Sequence, residues 1–185
     1  MQLETESGQT RWDELIQTLI TVIELGTFLY DNGINIIFLN RGSRHNVRSI
    51  HEIQHMLQTP PQNRTPLSSK TREAMRLANP NKPLLLLIAT DGEPCTVDNP
   101  NDPTYDDVNV FMNVLTDERD ADKIFVSILK CTNNERETGY LNLLDQNIKN
   151  IHVLGDFYNE RVKQCSPYTP GDHVAIFLLG PTLFP

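Results

Sequence analysis

The clearest apolar segment of the chain covers residues 84–89, Leu-Leu-Leu-Leu-Ile-Ala, and ends in the acidic turn Thr90-Asp91-Gly92-Glu93. Apolar side chains on both faces of a strand are typical of a parallel sheet that is covered by helices. Two further apolar runs, residues 34–39 and 124–129, predict parallel neighbours of this central strand. Residues 151–154 predict a last, short strand.

Helical spacing of apolar residues separates these strands. It is clearest from Trp12 to Leu29, where Thr10 is the predicted N-cap and Asp13 lies in the first turn, which the helix dipole favours. The same spacing predicts further helices over residues 50–57, 67–78, 108–115 and 137–146. Strands that alternate with helices predict an α/β fold: a doubly wound, mostly parallel sheet with helices on both faces.

Chain length and patterning predict a single domain over residues 1–185. Residues 1–10 are polar and predict a loop or frayed end. Residues 156–185 are less regular, since Pro167 and Pro170 interrupt them, and predict an irregular C-terminal extension. Its apolar part, residues 172–179, is expected to pack on the domain.

Net charge, cysteine spacing and the length of apolar runs each bear on the partners and the location of the protein. A formal net charge of −8 and a pI near 5.0 argue against a nucleic-acid or anionic-membrane surface, which needs clustered Lys and Arg. Cys95, Cys131 and Cys165 have no CxxC spacing, which argues for reduced thiols. No apolar run reaches the roughly eighteen residues of a membrane span, and no secretory signal is visible. A cytoplasmic location is therefore expected.

Oxygen-bearing side chains occur near the carboxyl ends of the predicted strands, where open α/β sheets bind ligands. Thr65 precedes the helix predicted over residues 67–78, and Asp91 follows the strand at 84–89. Hydroxyl and carboxylate oxygens suit Mg²⁺ or Mn²⁺. The two oxygens alone do not complete an octahedral site, so a partner carboxylate or further protein oxygens are needed. Alternatively, Asp91 caps the turn through its own backbone, as Asp before Gly often does.

Residues 51–55, His-Glu-Ile-Gln-His, match the HExxH pattern of zinc metalloproteases, in which the Glu is the general base. The predicted helix that carries them is short, because Pro60 and Pro61 end it. This context favours a solvent-exposed helix face and predicts that His51 and His55 do not bind zinc. The chain contains no GxGxxG, GxxxxGK[ST] or GxSxG pattern, which removes the usual support for nucleotide binding and serine hydrolysis.

Three segments together resemble a von Willebrand factor A domain: residues 11–15, Arg-Trp-Asp-Glu-Leu; residues 65–67, Thr-Pro-Leu; and residues 88–94, Ile-Ala-Thr-Asp-Gly-Glu-Pro. The resemblance extends over nearly the whole chain and keeps the order of elements. In that family a divalent cation occupies a metal-ion-dependent adhesion site, and an acidic group of the partner completes its coordination. The family's ligands are a DxSxS motif after the first strand, a threonine in a later loop and the aspartate of a TDG-type turn. Thr65 matches that threonine and Asp91 matches that aspartate.

The amino end departs from the family pattern, since it has neither a DxSxS motif nor an apolar first strand. One explanation is that the chain is N-terminally truncated and that Met1 falls just after the motif. The other is that residues 5–9, Thr-Glu-Ser-Gly-Gln, are a degenerate counterpart. Truncation is favoured, because residues 1–4 are too short and too polar to be the missing strand. In both cases the cation site is incomplete, and binding of Mg²⁺ or Mn²⁺ is expected to be weak or lost.

The resemblance implies a noncatalytic domain that binds a protein partner. Two alternatives stay open. The first is a metal-dependent hydrolase that uses Asp91 or the HExxH segment, which needs a further general base and a closed pocket. The second is a fragment without independent function, in which loss of a central strand exposes sheet edges that pair with another chain.

Overall fold

The computed structural model describes residues 10–62, 64–95, 107–132, 134–163 and 167–183. Within them the protein is mixed α/β and contains a three-stranded parallel sheet flanked by helices. The chain divides into two compact units, Met1–Asn63 and Arg64–Pro185. The single domain stays a prediction. Residues 1–9, on which both explanations of the amino end depend, lie outside the described residues.

The first unit begins with helix α1 (Arg11–Leu29), which starts at the predicted N-cap. The hydroxyl of Thr10 accepts the backbone N–H of Asp13, and the Asp13 carboxylate accepts the backbone N–H of Thr10, both at 3.1 Å. This reciprocal cap pairs donors that the start of a helix leaves without partners. Within the same first turn, the indole N–H of Trp12 donates to the carbonyl of Leu57 at 3.0 Å and joins α1 to the core of this unit.

Two short strands, β1 (Ile34–Ile36) and β2 (Arg44–Val47), pair antiparallel. The prediction that residues 34–39 are a parallel neighbour of residues 84–89 is therefore wrong. Instead of joining the parallel sheet, residues 34–36 form a hairpin with the next strand. The short connection, residues 37–43, dictates its antiparallel direction, because a parallel pair needs a crossover of about a dozen residues or more. Gly33 permits the pairing, because a Cβ there would lie 2.5 Å from the carbonyl oxygen of Val47.

The helix predicted over residues 50–57 is split in two. A 3₁₀ helix, Ile50–Glu52, is followed by α2 (Gln54–Leu57). They meet at Ile53, whose φ of −119° and ψ of 3° interrupt the regular helix. The Ile53 side chain is fully buried in the core of the first unit, so the interruption turns an apolar residue inward.

The second unit contains the parallel sheet, with strands in the order β3 (Leu84–Thr90), β4 (Ile124–Lys130) and β5 (Ile151–Leu154). All three strands were predicted from the apolar runs. The predicted central position of residues 84–89 is wrong, because β4 is the middle strand of this sheet and β3 pairs only with β4 in the described part of the chain. Burial follows this order: β4 is buried along most of its length, whereas β3 is mostly half-buried.

Helices flank this sheet near the predicted places, but the helix predicted over residues 137–146 is divided into two short helices. In chain order the flanking helices are α3 (Leu67–Arg76), α4 (Asp107–Asn113) continued by a π-helix (Val114–Glu118), α5 (Glu135–Thr138) and α6 (Leu141–Asn147). After the π-helix, the buried guanidinium of Arg119 donates to the carbonyls of Leu115 at 2.9 Å, Ile124 at 2.5 Å and Lys149 at 2.6 Å. Arg119 thereby ties this helix to the start of β4 and to the turn before β5.

The C-terminal segment forms two helices, α7 (Phe157–Lys163) and α8 (Pro170–Leu183), on either side of the segment that contains Pro167. Helix α8 begins with a reciprocal cap in which Thr169 and Asp172 exchange hydrogen bonds. It packs on β4 and β5, and a Cβ at Gly180 would lie 2.1 Å from Cδ2 of His152. Among the described helices, none combines the length and the apolar character that crossing a membrane requires.

Candidate functional site

The carboxyl end of β3 brings together the loop that contains Thr65 and the turn that contains Asp91. The carbonyl of Thr65 accepts the backbone N–H of Cys95 at 2.8 Å, which joins the loop before α3 to the segment after β3. The Thr65 hydroxyl lies 3.9 Å from the position that a Cβ of Gly92 would occupy. Thr65 is therefore placed beside the Asp91-Gly92 turn, as expected for two residues at one edge of a sheet.

The buried residue Thr90 supports this turn. Its hydroxyl accepts the backbone N–H of Gly92 at 3.4 Å and donates to the carbonyl of Gly92 at 3.2 Å. These bonds join Thr90 and Gly92, the residues on either side of Asp91. They therefore fix the direction in which the chain leaves β3. The role of Thr90 was not predicted, although a hydroxyl two residues before a glycine is a common turn signal.

The loop after β4 reaches the same edge. The backbone N–H of Cys131 donates to the carbonyl of Thr90 at 2.8 Å. In the turn between α5 and α6, burial raises the pKa of Tyr140, and the carboxylate of Glu93 raises it further. The Tyr140 ring contacts the ring of Phe111 edge-on, with centroids 6.3 Å apart. Three loops of the second unit therefore meet where β3 and β4 end.

This arrangement supplies hard oxygen donors but few of them. Within the part of the chain that the structure describes, no three His, Cys, Asp or Glu side chains form a group that could hold a metal ion. Thr65 and Asp91 offer one hydroxyl and one carboxylate, a set that fits Mg²⁺ because this ion is usually bound through one or two carboxylates and keeps several waters. Cation binding at these two residues stays a prediction.

Ser68 is a further polar residue near the site that the sequence did not single out. It lies in the first turn of α3, three residues after Thr65, and is 1% exposed. Its hydroxyl has no hydrogen-bond partner among the described residues. A buried hydroxyl without a hydrogen-bond partner lowers the stability of the folded state, so its presence in a structure calls for an explanation.

The HExxH segment has a different arrangement from that of a zinc metalloprotease. One carboxylate oxygen of Glu52 accepts the backbone N–H groups of Arg48 and Ser49, both at 2.9 Å, and so caps the 3₁₀ helix. His51 and His55 are exposed and lie on two different short helices rather than one turn apart on a single α-helix. The absence of zinc binding by these histidines stays a prediction.

A partly buried aromatic cluster joins α7 to α8. The hydroxyl of Tyr168 lies 3.0 Å from Nδ1 of His173, and the rings of Phe157 and Tyr168 are stacked with centroids 5.8 Å apart. Burial lowers the pKa of His173, although Glu160 and Asp156 act in the opposite direction. No periodic pattern in the sequence predicts this cluster, because its members come from two segments separated by prolines.

The reduced state of the cysteines stays a prediction. Cys95 is half-buried and Cys131 is buried, whereas Cys165 lies outside the described residues. Neither thiol belongs to a group of side chains able to hold a metal ion in the described part of the chain.

Comparison with known proteins gives no information on the function of this chain. The geometry at the carboxyl end of β3 is therefore the main evidence for its function. No model of a known protein family matches the chain. No curated protein shows significant similarity to it. No solved structure matches its fold significantly.

Proposed function

We propose that this chain is a noncatalytic, protein-binding domain of the von Willebrand factor A type with an incomplete metal-ion-dependent adhesion site. The observation that carries the proposal is the junction at the carboxyl end of β3. There the Thr65 carbonyl accepts the Cys95 N–H at 2.8 Å, and the Thr65 hydroxyl lies beside Gly92. These are the two loops that carry the family's threonine and aspartate.

In this proposal the hydroxyl of Thr65 and the carboxylate of Asp91 hold Mg²⁺ or Mn²⁺ weakly, and water fills the remaining positions. A carboxylate of the protein partner replaces one of the waters. Because that carboxylate brings negative charge to a cation that has one carboxylate ligand from this chain, partner and cation bind more tightly together than either does alone. The site binds and carries no reaction.

The net negative charge of the chain argues against some partners and makes the cation necessary for an acidic one. At a net charge of −8, the chain offers little attraction to nucleic acid or to an anionic membrane. An acidic group on the partner is repelled by the same charge unless a cation lies between them. We place the protein in the cytoplasm, a reducing compartment that agrees with the reduced thiols expected from the spacing of its cysteines.

The test uses the reciprocity between cation and carboxylate. The affinity for Mn²⁺ is measured by calorimetry in the presence of a short peptide that contains one glutamate, and again with the same peptide carrying glutamine. We expect weak Mn²⁺ binding that becomes several-fold tighter with the glutamate peptide only. In Asp91→Ala, both the binding and the difference between the peptides should be lost.

Asp117→Ala is the matched control, because Asp117 is an exposed carboxylate on the π-helix of the same unit. This variant should retain the binding and the peptide effect. Equal Mn²⁺ affinity with the two peptides would contradict the proposed partner chemistry. Binding that survives Asp91→Ala would contradict the proposed ligand.

A further inference from the structure

The outer edge of β3 carries backbone groups that point away from the sheet. The N–H of Leu84 donates to the carbonyl of Lys123, and the carbonyl of Thr90 accepts the N–H of Cys131, both at 2.8 Å. Because backbone groups point alternately to the two sides of a strand, Leu84, Leu86, Ile88 and Thr90 face β4. The N–H and C=O groups of the intervening residues, Leu85, Leu87 and Ala89, therefore face outward.

Within β3 itself, the features that usually prevent pairing with another chain are absent, although Lys82 and Pro83 directly precede the strand. Strand β3 has seven residues, Leu-Leu-Leu-Leu-Ile-Ala-Thr, with neither lysine nor proline among them. Its register with β4 runs without a bulge from Leu84 to Thr90. Leu85 is 38% exposed. A regular, apolar edge strand of this kind is a template for strand addition.

We propose that the outer edge of β3 binds β3 of a second copy of this chain, antiparallel and about a two-fold axis at Leu87. In this register Leu87 lies opposite Leu87 of the second copy, and Leu85 lies opposite Ala89. Each of these is a hydrogen-bonded pair, in which the two residues exchange both of their N–H···O=C bonds. All the outward groups of Leu85, Leu87 and Ala89 are thereby satisfied, and two three-stranded sheets become one continuous sheet.

The charges at the two ends of β3 favour a second copy in this direction. Lys82, which is exposed, precedes the strand and Asp91 follows it. Antiparallel pairing about Leu87 brings the end of β3 that Lys82 precedes to the end of the other copy's β3 that Asp91 follows. A parallel arrangement would place like charges together. The apolar strand also matches itself, since leucine meets leucine or alanine at each outward position.

Sedimentation equilibrium of the full chain in the presence of EDTA tests this proposal, because the chelator separates it from the cation site. We expect a monomer–dimer equilibrium. Leu85→Lys should raise its dissociation constant by about tenfold or more, since it places a charge in the paired strand. Leu143→Lys is the matched control, because Leu143 is exposed on α6 of the same unit, and it should leave the equilibrium unchanged.

A charge reversal tests the register while keeping the apolar strand. Lys82→Glu should weaken the dimer, and adding Asp91→Lys to it should restore the affinity. Circular dichroism of each variant verifies that it is folded. A wild-type chain that stays monomeric over about a hundredfold range of concentration would overturn the proposal. So would equal effects of Leu85→Lys and Leu143→Lys, or a monomer whose β3 edge binds an added extended peptide of unrelated sequence.

Discussion

The two glycines of α8, Gly171 and Gly180, differ in how much room the structure leaves for a side chain. Gly180 lies so close to the sheet that a Cβ would be 2.1 Å from Cδ2 and 2.6 Å from Cγ of the His152 ring. His152 cannot move freely, since its Nδ1 lies 3.4 Å from a carboxylate oxygen of Asp145. At Gly171 the nearest atom to an added Cβ is the Thr169 hydroxyl at 3.6 Å, an ordinary contact.

We therefore expect Gly180→Ala to lower the free energy of unfolding by about 1–3 kcal/mol, because α8 or the His152 ring must shift. Gly171→Ala should leave it unchanged or raise it by up to about 1 kcal/mol, since alanine favours a helix. Denaturant unfolding of the two variants measures the difference. Equal stabilities would mean that α8 does not approach the sheet at Gly180.

At this scale the sequence predicted what depends on near neighbours. The cap of Thr10 with Asp13 follows from residues three apart, and the structure confirms it. The closeness of Gly180 to His152 depends on how α8 lies across β5, and no pattern near Gly180 carries that information. The unpartnered hydroxyl of Ser68 is hidden for the same reason, because its burial depends on residues distant in sequence.

Among the elements, local patterns predicted strands and helices better than the pairing between strands. Residues 151–154 form the predicted last strand, and α1 begins and ends within a residue of its prediction. The apolar runs at 34–39 and 84–89 gave no information on their partners, since a run of apolar residues is equally compatible with an edge strand. The short hairpin connection, residues 37–43, was the available signal for antiparallel pairing of β1 with β2.

The burial of His173 between α7 and α8 predicts that the free energy of unfolding depends on pH. Burial holds the pKa of His173 below its value of about 6.5 in the unfolded chain. As the pH falls through about 6.5, the unfolded chain takes up a proton that His173 does not take up in the folded state, and stability falls. This contribution is fully present above that pH and is lost progressively below it.

The effect is measured as the difference between the wild type and His173→Gln in the free energy of unfolding as a function of pH. Between about pH 7 and pH 5, the wild type should lose stability more steeply than the variant. His45→Gln is the control, because His45 is exposed on β2 and should leave the slope unchanged. Parallel curves for the wild type and His173→Gln would contradict the buried, neutral state of His173.

For the whole molecule, the class of fold was predictable but the division of its strands was not. Alternating strands and helices predicted an α/β protein with a parallel sheet, and the second unit has that sheet in β3, β4 and β5. The chain divides into its two units after Asn63, between Pro61 and Pro66, and these prolines alone do not distinguish a unit boundary from an ordinary loop. The candidate cation site was predictable in part: Thr65 and Asp91 lie on adjoining loops, while the supporting bonds of Thr90 and Cys131 required the structure.

The central claim is that the carboxyl end of β3 holds a divalent cation through Thr65 and Asp91. The most direct measurement is paramagnetic broadening of backbone amide signals in NMR spectra of the full chain, with Mn²⁺ added below stoichiometry. The account predicts the strongest broadening at Thr65, Asp91, Gly92 and Cys131, and its loss in Asp91→Ala. Broadening centred on residues 51–55, or broadening around Asp91 that persists in Asp91→Ala, would contradict it.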